Sequence, residues 1–158
     1  MFSKLIVYVV FFLLSNFCFS NSNEPIEITA DKMEWNKNKN IAIAIGNAKA
    51  VQGNIIITAN KIVANLINTK AADEITSLNA EGKVKFSGKN EIATGKKAFY
   101  DLNKDILILT GNVNLKKQNN IMVGEKLIID FNTGVSKLMG QSEKNRVIMR
   151  YNTTTKDN

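Results

Sequence analysis

The sequence predicts an all-β protein, a single elongated antiparallel roll assembled from repeated strand segments. Three observations carry that prediction: a 29-residue repeat, strand-forming composition between the repeat marks, and no sustained 3.6-residue periodicity. The repeat has two marks. A Gly followed by a polar residue and then Ala or Val occurs at Gly46-Asn47-Ala48, Gly82-Lys83-Val84 and Gly111-Asn112-Val113. Thirteen residues after each Gly begins a small-polar-Lys element: Ala59-Asn60-Lys61, Gly95-Lys96-Lys97 and Gly124-Glu125-Lys126. Ala30-Asp31-Lys32 adds a fourth Lys element, and Gly140-Gln141-Ser142 a possible fourth Gly element. From each Lys element to the next Gly the steps are 16, 23, 16 and 16 residues, so one insertion of about seven residues falls near Asn65 to Thr76. Units of this length bury their apolar faces by stacking on their neighbours.

The elements follow in order. Pro25, the only Pro, precedes a first strand at Ile26-Glu27-Ile28, where its missing N–H removes no ladder bond. Any helix is confined to a turn or two around Asp31 to Asn36. Ile41-Ala42-Ile43-Ala44-Ile45 alternates large and small side chains, which gives one face to Ile41, Ile43 and Ile45 and the other to Ala. Further strands are expected at Asn54 to Thr58, Lys61 to Leu66, Lys83 to Phe86 and Ala98 to Leu102, all rich in Ile, Val, Leu, Phe and Thr. Ile106 to Thr110, Val113 to Leu115, Ile121 to Val123, Lys126 to Phe131 and Arg146 to Tyr151 complete the set. The Gly elements suit sharp bends, and the Lys elements suit corners whose side chain stays in water. Each half-unit holds one long bent strand or two short ones, running back and forth across two facing sheets. Both ends of such a roll leave edge strands unpaired, which favours strand addition to a like neighbour.

The ends and the composition bound the function. Met1 to Ser20 has a basic start at Lys4, an apolar run from Leu5 to Phe19 and small residues Cys18 and Ser20 before Asn21, which reads as a cleaved secretory signal peptide. An uncleaved N-terminal anchor is the alternative. Residues 21–151 then form one domain, and 152–158 a polar tail. Cys18 is the only Cys, so the exported chain has no disulfide to rely on. No His is present, which removes His-based acid–base chemistry, Ser-His and Cys-His nucleophiles and the commonest zinc ligand. The 14 acidic residues are scattered, with no pair placed for catalysis, and no cofactor or metal is expected. The formal charge is +7, mostly from dispersed Lys. A solvated surface explains that plainly, and an anionic lipid or polysaccharide is the sharper partner. No aromatic interleaving points to nucleic acid.

At the level of motifs, Pro25 to Lys32, Ile45-Gly46-Asn47-Ala48, Val51 to Ile55, Thr58 to Lys61, Leu109 to Val113 and Gly124 to Leu127 together resemble the OstA-like family, over nearly all of the chain after residue 20. The resemblance implies a twisted, slightly open β-jellyroll. It also implies a periplasmic, non-enzymatic role: binding lipopolysaccharide through its lipid A part, with copies joining head to tail. The implied protein partners are LptC-like and LptD-like proteins, by edge-strand addition. An anchored LptC-like component and a structural or adhesive envelope repeat are the other readings. Groove-lining candidates are Ile26, Ile28, Ile41, Ile43, Ile45, Ile55, Ile57, Val84, Phe86 and Leu102. A polar side chain at Phe86 or Ile43 that abolished lipid binding while the sheet survived would separate groove from ordinary core. Lys32, Lys61, Lys97 and Lys126 are candidates for lipid phosphates, with solvated turn lysines as the plain alternative. Trp35 and Tyr100 occupy equivalent repeat positions, expected as core or corner packing.

Overall fold

The computed structural model describes residues 24–70, 72–142 and 146–151. The predicted signal peptide and tail lie outside them. Ten strands form one antiparallel sheet: β1 (Glu27–Thr29), β2 (Lys32–Asn36), β3 (Ile41–Gln52), β4 (Ile55–Asn68), β5 (Asp73–Ser87), β6 (Glu91–Asp101), β7 (Ile106–Lys117), β8 (Asn120–Asp130), β9 (Val135–Met139) and β10 (Ile148–Arg150). Strands β3 to β8 pair in sequence order. At one edge β1 and β2 both pair with β3, and at the other β9 and β10 both pair with β8. The all-β, open antiparallel expectation therefore holds. The helical expectation at Asp31 to Asn36 does not: these residues form β2, in register from Lys32 opposite Ile45 to Asn36 opposite Ile41. A 3-10 turn at Lys37–Lys39 closes the hairpin, the Asn36 side chain accepting from the Lys39 N–H at 3.0 Å. Alternation of Met33 and Trp35 with charged residues favours the ladder.

The repeat marks are the two sides of one corner. Register breaks occur between Ile45 and Ala48, Glu81 and Val84, and Thr110 and Val113, where the Gly element meets a Lys element on the next strand. Two residues on one strand then oppose one on the other, which is a β-bulge that bends the strand and increases its twist. At each bulge both residues sit at positive φ: 88° and 51° at Gly111 and Asn112, with Gly46-Asn47 and Gly82-Lys83 alike. A Cβ on Gly111 would lie 2.8 Å from the Lys96 side chain, which covers the bend. The middle residues of three Lys elements, Asp31, Asn60 and Lys96, thus occupy the space above Gly46, Gly82 and Gly111. Gly111→Ala is expected to lower stability by about 1–2 kcal/mol from the left-handed conformation alone. A urea titration checks it, and an unchanged midpoint would show that the corner is not strained against Cβ.

Long strands cross this corner, so the sheet folds onto itself as two facing halves. Their inner faces form one apolar cluster that includes Ile57, Ile62, Leu78, Phe86, Tyr100, Leu107 and Leu127. No polar or charged side chain is buried among the described residues. Inner positions on β3 and β6 are mostly Ala (Ala44, Ala48, Ala50, Ala93 and Ala98), which lets the bulky side chains opposite fill the interior.

Candidate functional site

Register shows how far the inner apolar surface extends. On one half of the sheet, Ile28, Ala50, Ile57, Phe86, Ala93, Leu115, Met122 and Met149 stand opposite one another strand by strand, from β1 to β10. On the other half, Met33, Ala44, Ile62, Ala80, Ala98, Leu109, Leu127 and Leu138 make an equivalent row from β2 to β9. The rows run along the roll from one open edge to the other.

At the first edge the two halves stand apart. A cleft of about 200 Å³ opens there, lined by Ile26, Ile28, Met33, Trp35, Ala42, Ile43, Ala44, Ile62, Leu66 and Ile75. Among the described residues no strand covers β2 on its free side, so Met33 is 54% and Trp35 59% exposed although both belong to inner rows. The repeat equivalence of Trp35 and Tyr100 holds for the face and not for the surroundings, since Tyr100 is only 1% exposed. At the far edge Val147, Met149 and Tyr151 are likewise exposed.

Opposite the corner, the hairpin turns of the two halves face each other across a slit. Phe131 closes its middle, with its ring centroid 5.9 Å from both Phe86 and Tyr100. The Tyr100 hydroxyl donates to Gln52 Oε1 at 2.9 Å and contacts Asp105 Oδ1 at 3.3 Å, tying one half to the other. Burial first, and then the Asp105 carboxylate and its hydrogen bond, push the Tyr100 pKa far above its ordinary value, so the ring stays neutral. Lys89, Lys117, Asn54 and Ile55 rim this slit beside Phe131. Lys117 lies 3.6 Å from the Glu91 carboxylate.

Among the residues anticipated from sequence, Ile57, Val84 and Phe86 are buried inside, and Ile26, Ile28, Ile55 and Leu102 pack against the same core. Ile41, Ile43 and Ile45 take the other face. Ile43 borders the cleft between Ala42 and Ala44, but alternation turns its side chain outward beside Val63, and Ile45 stands beside Lys61. The large side chains of this strand point out because the inside is already filled by Ile62 and its neighbours. Lys32, Lys61, Lys97 and Lys126 also lie on the outer face, in one row along the corner and away from the slit. Sequence reasoning passed over Met33, Leu66, Ile75 and Phe131. The alternation of Met33 and Trp35 within Lys32–Asn36 was the available signal for the first.

Known proteins share this architecture. The family described as LptA/(LptD N-terminal domain) LPS transport protein matches residues 27–135. The Haemophilus influenzae lipopolysaccharide export system protein LptA is 28% identical over 123 residues, covering 73% of this chain and 72% of that protein. The Escherichia coli K12 LptA is 27% identical over 103 residues, 61% of this chain and 55% of its own length. The LPS-assembly protein LptD of Pectobacterium atrosepticum is 34% identical over 94 residues, which is 58% of this chain and 12% of that protein. In fold, the crystal structure of LptH, the periplasmic LptA homologue of Pseudomonas aeruginosa, superposes with a TM-score of 0.73 at 18% identity, over 85% of this chain and 99% of LptH. With most of its sheet inside the matched span, this chain belongs to the LptA/(LptD N-terminal domain) family of lipopolysaccharide transport proteins, a family of transport proteins and not of enzymes.

Proposed function

We propose that this protein is a periplasmic carrier that shelters the acyl chains of lipopolysaccharide between its two sheet halves and passes the lipid toward the outer membrane. The observation that carries this reading is the apolar row running from Ile28 to Met149, open at both edges onto exposed apolar side chains. Each acyl CH₂ moved into water costs about 0.8 kcal/mol, so a multi-chain lipid does not cross an aqueous gap unaided. The chains would enter at the cleft around Trp35 and Ile28, while sugars and phosphates remain outside near the slit.

Free edges at β1 and β2 and at β9 and β10 support the second half of the proposal. Copies joined head to tail there, and LptC-like and LptD-like modules added at the terminal edges, would extend the apolar rows and cover Met33, Trp35 and Met149. The apolar segment before residue 21 fits export by a cleaved signal peptide. No nucleotide-binding motif occurs in the sequence, so the direction of transport would be imposed by a partner.

The test is binding of labelled lipopolysaccharide to the protein purified as the cell exports it, with lipid A and a plain phospholipid as competitors. Saturable binding displaced by lipid A and not by phospholipid is expected. A folded sample without binding would leave a structural envelope repeat as the better account.

A further inference from the structure

A hydrogen bond and an aromatic ring close the slit opposite the corner. One side of the slit is formed by the turns after β3 and β5, the other by the turns after β6 and β8. The Tyr100 hydroxyl on β6 crosses it to Gln52 Oε1 at 2.9 Å, and Gln52 Nε2 in turn donates to the Glu24 carbonyl at 3.3 Å. Phe131 crosses it as a ring wedged against Phe86. Among the described residues no ion pair spans the slit, since Lys117 pairs with Glu91 and Lys104 with Asp101 within their own halves. Hollows of about 230 and 310 Å³ flank Phe131, both lined by Asn54, Ile55 and Phe131 itself, so the ring is the partition between them.

Tyr100 has a second acceptor. Burial and the Asp105 carboxylate keep the phenol neutral, so it has one proton to give. Asp105 Oδ1 lies 3.3 Å from the same hydroxyl, five residues on and on the same side of the slit. Parting the halves therefore moves that proton from Gln52 to Asp105 and strands no buried donor, while Gln52, half-buried at the rim, gains water. Phe131 belongs to the same side. Its N–H donates to the Asp105 carbonyl at 3.0 Å, and the Asn132 side chain to the Lys104 carbonyl at 2.9 Å. Hydroxyl and ring are thus carried on one pair of linked turns.

We propose that these contacts form a latch on the slit: acyl chains lodge between the halves after Tyr100 hands its hydrogen bond from Gln52 to Asp105 and Phe131 swings clear of Phe86. The inference rests on the carrier reading above. A lipid with its chains inside and its sugars outside threads the slit wherever it sits, so a bond across the slit lies in its path. In the closed form Phe86, Tyr100 and their neighbours fill the interior. The chains need the volume that Phe131 vacates, and the two hollows, joined beside Ile55, would supply it. The lipid then binds the unlatched form, and its apparent affinity is reduced by the unlatched fraction.

The experiment is the affinity of labelled lipopolysaccharide for the exported protein carrying Tyr100→Phe, Gln52→Ala or both. Each single variant is expected to bind about fivefold tighter, the factor that one net hydrogen bond contributes. The double variant should gain no more than either alone, because both remove the same bond. Gly111→Ala, which loosens the corner and not the latch, leaves affinity unchanged. Conversely, Gln52→Cys with Asp105→Cys places thiols at the two groups that share the Tyr100 hydroxyl. Joining them with a short reducible cross-linker should abolish binding, and reductant should restore it. Circular dichroism checks each variant, and Gln52→Ala carries the test should Tyr100→Phe not fold. Equal or weaker binding in Gln52→Ala, or full binding by the cross-linked form, would overturn the latch while the unaltered protein still binds. No binding by the unaltered protein and by Tyr100→Phe alike is failure of the carrier reading itself, and of the latch with it.

Discussion

Trp35→Asp is expected to weaken lipopolysaccharide binding by roughly tenfold to a hundredfold while leaving the fold intact. Trp35 lines the cleft at the β2 edge with Ile26, Ile28 and Met33, yet more than half of its surface meets solvent. Its apolar surface is therefore available to a ligand and contributes little to the core. Covering a side chain of this size contributes about 1.5–3 kcal/mol, and each 1.4 kcal/mol is a factor of ten. The change in folding stability should stay within about 1 kcal/mol, the span of strand propensity. Trp35 is the only Trp, so its emission reports directly on the cleft: a blue shift on adding lipopolysaccharide is expected. Unchanged affinity in Trp35→Asp would mean that the lipid does not use this edge.

Phe86→Ala is expected to act the opposite way, lowering stability by about 3–5 kcal/mol, as large-to-small changes at buried aromatics do. Phe86 is 0% exposed and packs between Ile57 and Ala93 in its row, with Phe131 against its ring. Little of the surrounding sheet can collapse into the space, because the Tyr100 bond to Gln52 ties the halves at that depth. A urea titration with an unchanged slope measures the loss. A cost below about 1 kcal/mol would show that the interior around Phe86 is open in solution. For the same reason a polar side chain at Phe86 should abolish binding and folding together, so it does not separate groove from core. Ile43 fails that purpose differently, since its side chain lies on the outer face.

These contrasts show what could be read without a structure. The period of 29, the Gly and Lys marks and the β-branched runs between them identify an all-β roll, because bends and ladders are local requirements written in local residues. Inward placement of Val84 and Phe86 was also legible, since Lys83-Val84-Lys85-Phe86 alternates polar with apolar side chains. In Ile41 to Ile45 both alternating residues are apolar, and alternation alone says only that two faces differ. Packing across strands decides which one is inside: Ile62, the partner of Ala44 on the next strand, and its neighbours fill the space and leave room only for Ala42 and Ala44. Likewise, the Gly and Lys marks stand out as separate repeats along the chain, but only pairing across strands reveals them as two sides of one corner. That pairing also sets Lys32, Lys61, Lys97 and Lys126 in a single row away from the slit. Local chemistry was thus determined by the sequence itself. Assignment of faces and juxtaposition of distant residues were decided by tertiary structure, because volume and register are shared between strands that the chain separates by tens of residues.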